Sequence, residues 1–187
     1  MTLEGGRPRS MNISRAEQIN GWMHHKELTW LAEIAQKCRI IIEIGCYRGR
    51  STRALADNSE AVIFAIDPWD GPVFKENGDL AFSVDEDIFR EFKANLAGTN
   101  VIPIRQEFDE HIKLPKADFI FIDGDHRYFN VKRDIKAALK LLKPDGIIAG
   151  HDYGYDEWPG VKLAVDEFFP SVNTIRSIWW AQIKESL

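Results

Sequence analysis

Four short apolar runs in this chain stop abruptly at a glycine or a charged side chain, and that pattern narrows the fold more than any other feature. Arg39-Ile-Ile-Ile-Glu43-Ile44 runs into Gly45, residues 61–66 into Asp67, Phe119-Ile-Phe-Ile122 into Asp123, and Gly146-Ile-Ile-Ala-Gly150 into His151-Asp152. Runs of this length, rich in β-branched residues, read as strands buried on both faces. Residues 101–105 supply another. Between them the spacing of apolar residues predicts helices over 50–58, 85–96, 128–142 and 160–169, the third closing on the stop-and-turn signal Lys143-Pro144-Asp145-Gly146. Strands that alternate with helices make a doubly wound, mostly parallel α/β sheet with helices on both faces.

The ends of the chain differ from this middle. Over residues 14–38, Ile19, Trp22, Met23, Leu28, Leu31, Ile34 and Ala35 recur at roughly helical spacing, with Ser14 and Glu17 suggesting a capping box and Gly21 a kink or division. Two runs, 172–175 and 178–183, read as a closing antiparallel pair in which Trp179 and Trp180 face opposite ways, so that at most one of them is buried on the core side. The longest irregular stretch is 68–84. The expected organisation is a flexible tail over 1–13 and one domain over 14–187, whose helical segment 14–38 covers the site.

With 187 residues and a formal net charge of −5, the chain has no basic excess with which to replace the counterions of a nucleic acid. No apolar stretch approaches the length of a membrane span. Cys38 and Cys46 are too few for a disulfide framework and wrongly spaced for zinc, and the first ten residues lack the apolar core of a signal peptide. These features lead us to expect a cytoplasmic protein that handles a small molecule, without nucleic acid or membrane as partner. Oligomeric state is not readable.

Ligands of doubly wound sheets sit beyond the carboxyl ends of the strands, where strand order reverses. Gly45 and Gly49 flank the first such loop, allowing a sharp turn and a close backbone approach, and the helix that follows offers N–H groups to an anion. Asp67 ends the second strand roughly 20 residues further on, where a carboxylate can take both hydroxyls of a ribose. The same residues also suit a simple turn, and nicotinamide enzymes use a similar arrangement.

Three further motifs narrow the reading. The stretch Ile42-Glu43-Ile44-Gly45-Cys46-Tyr47-Arg48-Gly49-Arg50-Ser51 resembles the first motif of class I methyltransferases, particularly catechol O-methyltransferases and antibiotic-tailoring sugar O-methyltransferases. Ile66-Asp67-Pro68-Trp69, Ile122-Asp123-Gly124-Asp125-His126 and His151-Asp152 follow in the family's order. The resemblance spans roughly residues 39–170. It implies S-adenosylmethionine as cofactor, with Glu43 and the 45–49 backbone holding the methionine end, Tyr47 and Ser51 at its carboxylate, and Asp67 at its ribose. Trp69 would flank the adenine or merely pack the loop. Glu107, after the third parallel strand, is a further candidate for the adenine, although the small residue usual nearby is missing.

Asp123 and the pair His151-Asp152 end adjacent apolar strands, where a carboxylate needs a purpose or a partner. Two carboxylates and an imidazole brought into one cleft can hold a divalent cation. In the relatives the matching positions bind magnesium, which chelates acceptor oxygens; here His151 replaces an oxygen ligand, which favours manganese or iron. Alternatively His151 is a base without a metal, or Asp123 and Asp152 cap helices and loop backbone. His126 stands where the catechol enzymes carry their lysine base, and Asp125 matches an aspartate that some sugar enzymes use nearby. His126 would otherwise cap the next helix or contact Asp152. Aromatic residues on the first helix, and Tyr153, Tyr155 and Trp158, are candidates to roof an acceptor pocket.

Three rival readings stand beside O-methylation of a small-molecule hydroxyl. Tyr128-Phe-Asn-Val-Lys132 matches the Tyr-x-x-x-Lys pattern of short-chain dehydrogenases, but no serine lies between Ser83 and Ser171 to complete it. The cephalosporin hydroxylase family carries similar motifs, and fold does not fix function. A non-enzymatic, degenerate cofactor binder is the third, and intact Glu43, Gly45, Gly49, Asp67 and Asp123 count against it.

Overall fold

The computed structural model describes residues 11–70, 73–74, 77–82 and 87–184. The expected tail therefore lies, but for residues 11–13, outside the described residues, as do the first two residues of the helix expected over 85–96. In chain order the elements are α1 (Ser14–Gln18), α2 (His25–Ala35), β1 (Ile40–Ile44), α3 (Arg50–Asp57), β2 (Val62–Ile66), β3 (Val73–Phe74), β4 (Leu80–Phe82), α4 (Ile88–Asn95), β5 (Val101–Ile104), β6 (Ala117–Ile122), α5 (Tyr128–Leu141), β7 (Leu142–Gly150), α6 (Pro159–Phe168), β8 (Asn173–Ile175) and β9 (Ile178–Gln182).

Seven strands make one sheet in the order β5-β2-β1-β6-β7-β9-β8. The first five run parallel, and the closing pair is antiparallel as expected, β9 lying antiparallel against both β7 and β8. The pleat divides the core in two. Ile42, Ile44, Ile120, Ile122 and Ile148 face α5 and α6, while Ile41, Ile63, Phe119, Phe121 and Ala149 face α2 and α3. This alternation is why the strands read as unbroken apolar runs. Trp179 and Trp180 divide the same way, Trp179 fully buried with the first group and Trp180 half-buried against the second.

Several local expectations are corrected. The capping box is not at Ser14: Ile13 is the N-cap residue of α1 and makes no side-chain cap, while Ser14 bonds back to Asn12. The box sits instead at α2, where His24 Nδ1 accepts from Lys26 N–H and Glu27 accepts from His24 N–H at 2.8 Å. The segment 14–38 is divided into two helices with Gly21 in the break between them, the second of the two expectations for that glycine. The irregular stretch 68–84 contains the small antiparallel hairpin β3–β4. Lys143-Pro144-Asp145-Gly146 does not stand outside the sheet; it forms an irregularity within β7, with Asp145 in the left-handed region, between the pairs Ala117–Leu142 and Phe119–Ile147.

Candidate active site

β1 has β2 on one side and β6 on the other, so the connections leaving it diverge and open a crevice at the strands' carboxyl ends. The tips there are locked in one row by backbone bonds. Asp67 N–H donates to Ile104 C=O at 3.2 Å, Gly45 N–H to Ile66 at 2.9 Å, Asp123 N–H to Ile44 at 2.7 Å and His151 N–H to Ile122 at 3.0 Å. Each residue singled out at a strand end thus takes its place from its neighbour's last carbonyl. A cleft of about 820 Å³ opens over this row.

The loop after β1 is built on positive φ. Gly45 lies at φ +80°, Tyr47 at +46° and Gly49 at +88°, and Gly49 starts α3 without a side-chain cap. Asp67, at the tip of β2, organises this loop: its Oδ2 accepts the N–H groups of Cys46 and Tyr47 at 2.8 and 2.9 Å, and its Oδ1 that of Trp69 at 2.6 Å. Glu43 does not border the cleft. It is fully buried toward α3, where the Ser51 hydroxyl donates to its Oε1 at 2.5 Å, while its other oxygen has no partner. Burial, only partly offset by the bond from Ser51, pushes its pKa up to about 7. Trp69 lines the cleft but is only 7% exposed; its indole N–H donates to Tyr47 C=O and its ring packs against Phe89 and Phe92, each at 4.7 Å. Loop packing therefore occupies most of the ring. A β-carbon added to Gly49 would stand 2.3 Å from the Leu96 side chain and 3.1 Å from that of Phe92.

The other half of the cleft is a cluster of acids and imidazoles. His126 Nε2 lies 2.8 Å from Asp152 Oδ2 and 3.7 Å from Asp123 Oδ1. Neither contact makes a hydrogen bond, Asp123 standing beyond bonding distance, so charge holds these groups together. The His126 ring lies against Trp158 at 4.5 Å. His151 approaches the same carboxylates from the other side, its Nδ1 3.1 Å from Asp152 Oδ1 and 3.6 Å from Asp123 Oδ1. Burial lowers both imidazole pKa values, but Asp123 and Asp152 more than reverse this, raising His126 to about 9 and His151 to about 11. Burial raises Asp123 against the pull of both imidazoles, whereas those imidazoles draw Asp152 well below the carboxylate range despite its burial.

The donor set fits a divalent cation: ligand atoms of Asp123, His126 and Asp152 all lie within 4.8 Å of one another. Two carboxylates with an imidazole suit manganese or iron better than magnesium. The sequence reading grouped Asp123, His151 and Asp152; the structure sets His126 beside them. Asp125 is engaged elsewhere. It accepts from Arg127 through backbone and guanidinium at 2.5–3.0 Å, and Arg127 holds it below its ordinary pKa despite partial burial. The Glu107 side chain is 76% exposed at the rim and 3.6 Å from Arg133. Tyr128 and Lys132 do not border the cleft; Lys132 lies 3.1 Å from the Tyr128 hydroxyl and 2.6 Å from Glu167 on α6.

Three residues here were not singled out from the sequence. Asp134 lines the cleft floor, 2% exposed, with burial raising its pKa to about 7 against the pull of Arg133. Glu27 and Ser177 stand behind His151: the Ser177 Oγ is 2.9 Å from His151 Nε2 and 2.7 Å from Glu27 Oε1. The segment between α1 and α2 closes one side of the cleft, with Trp22 68% exposed beside Tyr47, and Arg50 fixes it by donating to the carbonyls of Glu17, Ile19 and Met23. Apart from that segment the expected cover is a core layer, Trp30 packing edge-on to Phe119.

Comparison with known proteins gives a consistent picture. A family model described as "Methyltransferase domain" matches residues 42–153. "Uncharacterized protein R132" of Acanthamoeba polyphaga mimivirus is 30% identical over 143 residues, covering 71% of this chain; the chain spans 60% of that relative's length. Among solved structures, the O-methyltransferase from Bacillus cereus in complex with SAH superimposes with a TM-score of 0.60 at 20% identity, covering 91% of this chain and 86% of that one. Cofactor-bound Rv0187 from MTB gives a TM-score of 0.65 at 15% identity, covering 93% and 87%. These structural likenesses establish the shared fold.

Proposed function

The chain belongs to the methyltransferase-domain family, and from that premise we propose that it transfers a methyl group from S-adenosylmethionine to a hydroxyl of a small molecule, with a divalent cation at Asp123, His126 and Asp152. One observation carries this reading: the glycine loop and the acid–imidazole cluster open into a single cleft, touching where Gly45 meets the backbone of Asp123 and Gly124. A donor and an acceptor bound there lie side by side, as a direct transfer requires.

When bound, S-adenosylmethionine supplies an electrophilic methyl on sulfur, and a divalent cation supplies a Lewis acid that makes the acceptor oxygen a better nucleophile. The rest falls to the chain. Gly45 admits a ligand against the backbone, Asp67 keeps the loop in shape, and the first turn of α3 faces an anion with its N–H groups. Asp123 and Asp152 hold the acceptor end. His126 carries its own proton while both carboxylates are directed at it, and would give that proton up to serve as a neutral ligand of the cation. His151, protonated more firmly and buried deeper, has no free nitrogen with which to take a proton. Asp125 serves the site by fixing Arg127 at the rim. The absence of basic excess and the free thiols of Cys38 and Cys46 support a cytoplasmic enzyme of small molecules.

Calorimetry with S-adenosylmethionine, S-adenosylhomocysteine and, separately, NADH tests the reading at its base. Heat is expected with the first two and none with NADH; a folded protein indifferent to both sulfur ligands sinks it. A methyl-transfer assay on catechols and sugar hydroxyls, with and without Mn²⁺, then separates methylation from the hydroxylase-like alternative.

A further inference from the structure

We infer that Glu27 is a positioning residue which, acting through Ser177, fixes the orientation of His151, with Nε2–H turned away from the cleft and Nδ1 presented to Asp123 and Asp152. The consequence for the cleft rests on the reading of that cleft as the place of transfer; the orientation itself does not.

The proton count leaves one arrangement. Glu27 is 2% exposed and its oxygens accept three bonds: Oε1 from Ser177 N–H at 3.1 Å and from the Ser177 hydroxyl at 2.7 Å, and Oε2 from His24 N–H at 2.8 Å. An ionised carboxylate only accepts, so the single hydroxyl proton of Ser177 is committed to Glu27. Ser177 Oγ then meets His151 Nε2, 2.9 Å away, with a lone pair, and the ring nitrogen must be the donor. A ring protonated at Nε2 presents Nδ1 as its other face, and Nδ1 is the atom 3.1 Å from Asp152 Oδ1. Outer carboxylates that hold one ring nitrogen in this way are a general device for fixing the orientation of an imidazole.

The placement of Glu27 makes this more than a local bond. The same side chain closes the N-terminal box of α2, and it reaches Ser177 across 150 residues of sequence to the turn between β8 and β9. Removing its charge therefore unlocks the imidazole while leaving the apolar packing of α2 through Leu28 and Leu31 in place.

Long-range ¹H–¹⁵N spectra of the histidine side chains, with His151 assigned by the loss of its peaks in His151→Asn, read the orientation directly. The wild type is expected to show a proton on Nε2 that exchanges slowly with water. In Glu27→Gln and in Ser177→Ala that proton exchanges rapidly and the ¹⁵N shifts of the ring move. Ser177→Ala keeps the test open should Glu27→Gln fail to fold, and circular dichroism establishes which variants are native. His151 peaks that are unchanged in a folded variant overturn the proposal. Mn²⁺ titration followed by the loss of the free-ion electron spin resonance signal adds the consequence: affinity about 10–100-fold weaker in the variants. A wild type that takes up no Mn²⁺ removes the cation reading of the cleft, and the ring spectra still decide the role of Glu27.

Discussion

A β-carbon added to Gly45 would stand 2.2 Å from the carbonyl oxygen of Asp123, so the glycine loop after β1 and the tip of β6 meet backbone to backbone with no room for a side chain. Gly45 is also held at φ +80°. Gly45→Ala therefore carries two penalties: about 1–2 kcal/mol for the left-handed conformation, and a displacement of one strand tip from the other. Gly154, at φ +83° with nothing within 4 Å of its hypothetical β-carbon, carries only the first. Denaturant unfolding should show Gly45→Ala losing more stability than Gly154→Ala. Calorimetry with S-adenosylhomocysteine should show affinity falling by about tenfold or more in the first and unchanged in the second.

Asp67 is expected to act on the donor by shaping the loop as well as by touching it. Asp67→Asn keeps one acceptor oxygen and turns an NH₂ group toward N–H groups that now bond to the other. Asp67→Ala leaves the N–H groups of Cys46, Tyr47 and Trp69 without that partner. Each unsatisfied buried group costs about 1–3 kcal/mol, so both variants should melt earlier than the wild type even without donor. If Asp67 contacted only the ribose, the melting temperature of the free protein would not change.

Asp134 makes stability depend on pH in an unusual direction. Its folded pKa is about 7 against an ordinary value of 3.8, so between those limits the folded chain binds more protons than the unfolded one. Stability then falls as pH rises through that window and levels off above it. Glu43, at about 7, adds to the same trend. Asp134→Asn should raise the melting temperature at pH 8 by roughly 2–4 °C for each kcal/mol recovered, and the advantage should vanish near pH 4. A gain of equal size at both pH values would show that burial of the charge is not its source.

Cation binding should be visible as stabilisation. A ligand present at about 100 times its dissociation constant adds about 2.7 kcal/mol, so the wild type should melt later with MnCl₂ than with EDTA. Asp152 sits at φ +60°, a conformation that asparagine tolerates, so Asp152→Asn should keep the loop and lose most of this gain. An unaltered Mn²⁺ shift in that variant would mean the ion binds elsewhere.

The strands and their tips were legible because burial on two faces leaves an unbroken apolar run, and a polar residue at its end has few other uses. Sequence distance limited the rest. Glu27 was visible as one more polar residue of a helix; the spacing His24 to Glu27 would have marked it as a cap, but nothing local announces a partner at Ser177. Asp134 had a signal of its own, an acid set among Val131, Ile135 and Ala138 on the buried side of α5. Helical periodicity classifies such a position as an interruption and does not say what lies opposite. Asp67 illustrates a third kind of gap, since a carboxylate that accepts a loop's N–H groups and one left free for a ligand have the same sequence.

The row of peptide bonds joining the strand ends works as a ruler. Neighbouring marks lie at the inter-strand pitch of about 4.8 Å, and backbone atoms, not side chains, set that pitch. Evolution can therefore exchange the side chain on any mark and alter what is gripped while leaving undisturbed where it is gripped. His151 stands on one such mark, fixed by its N–H on Ile122, so another side chain at that position would face the cleft from the same distance to Asp123 and Gly45.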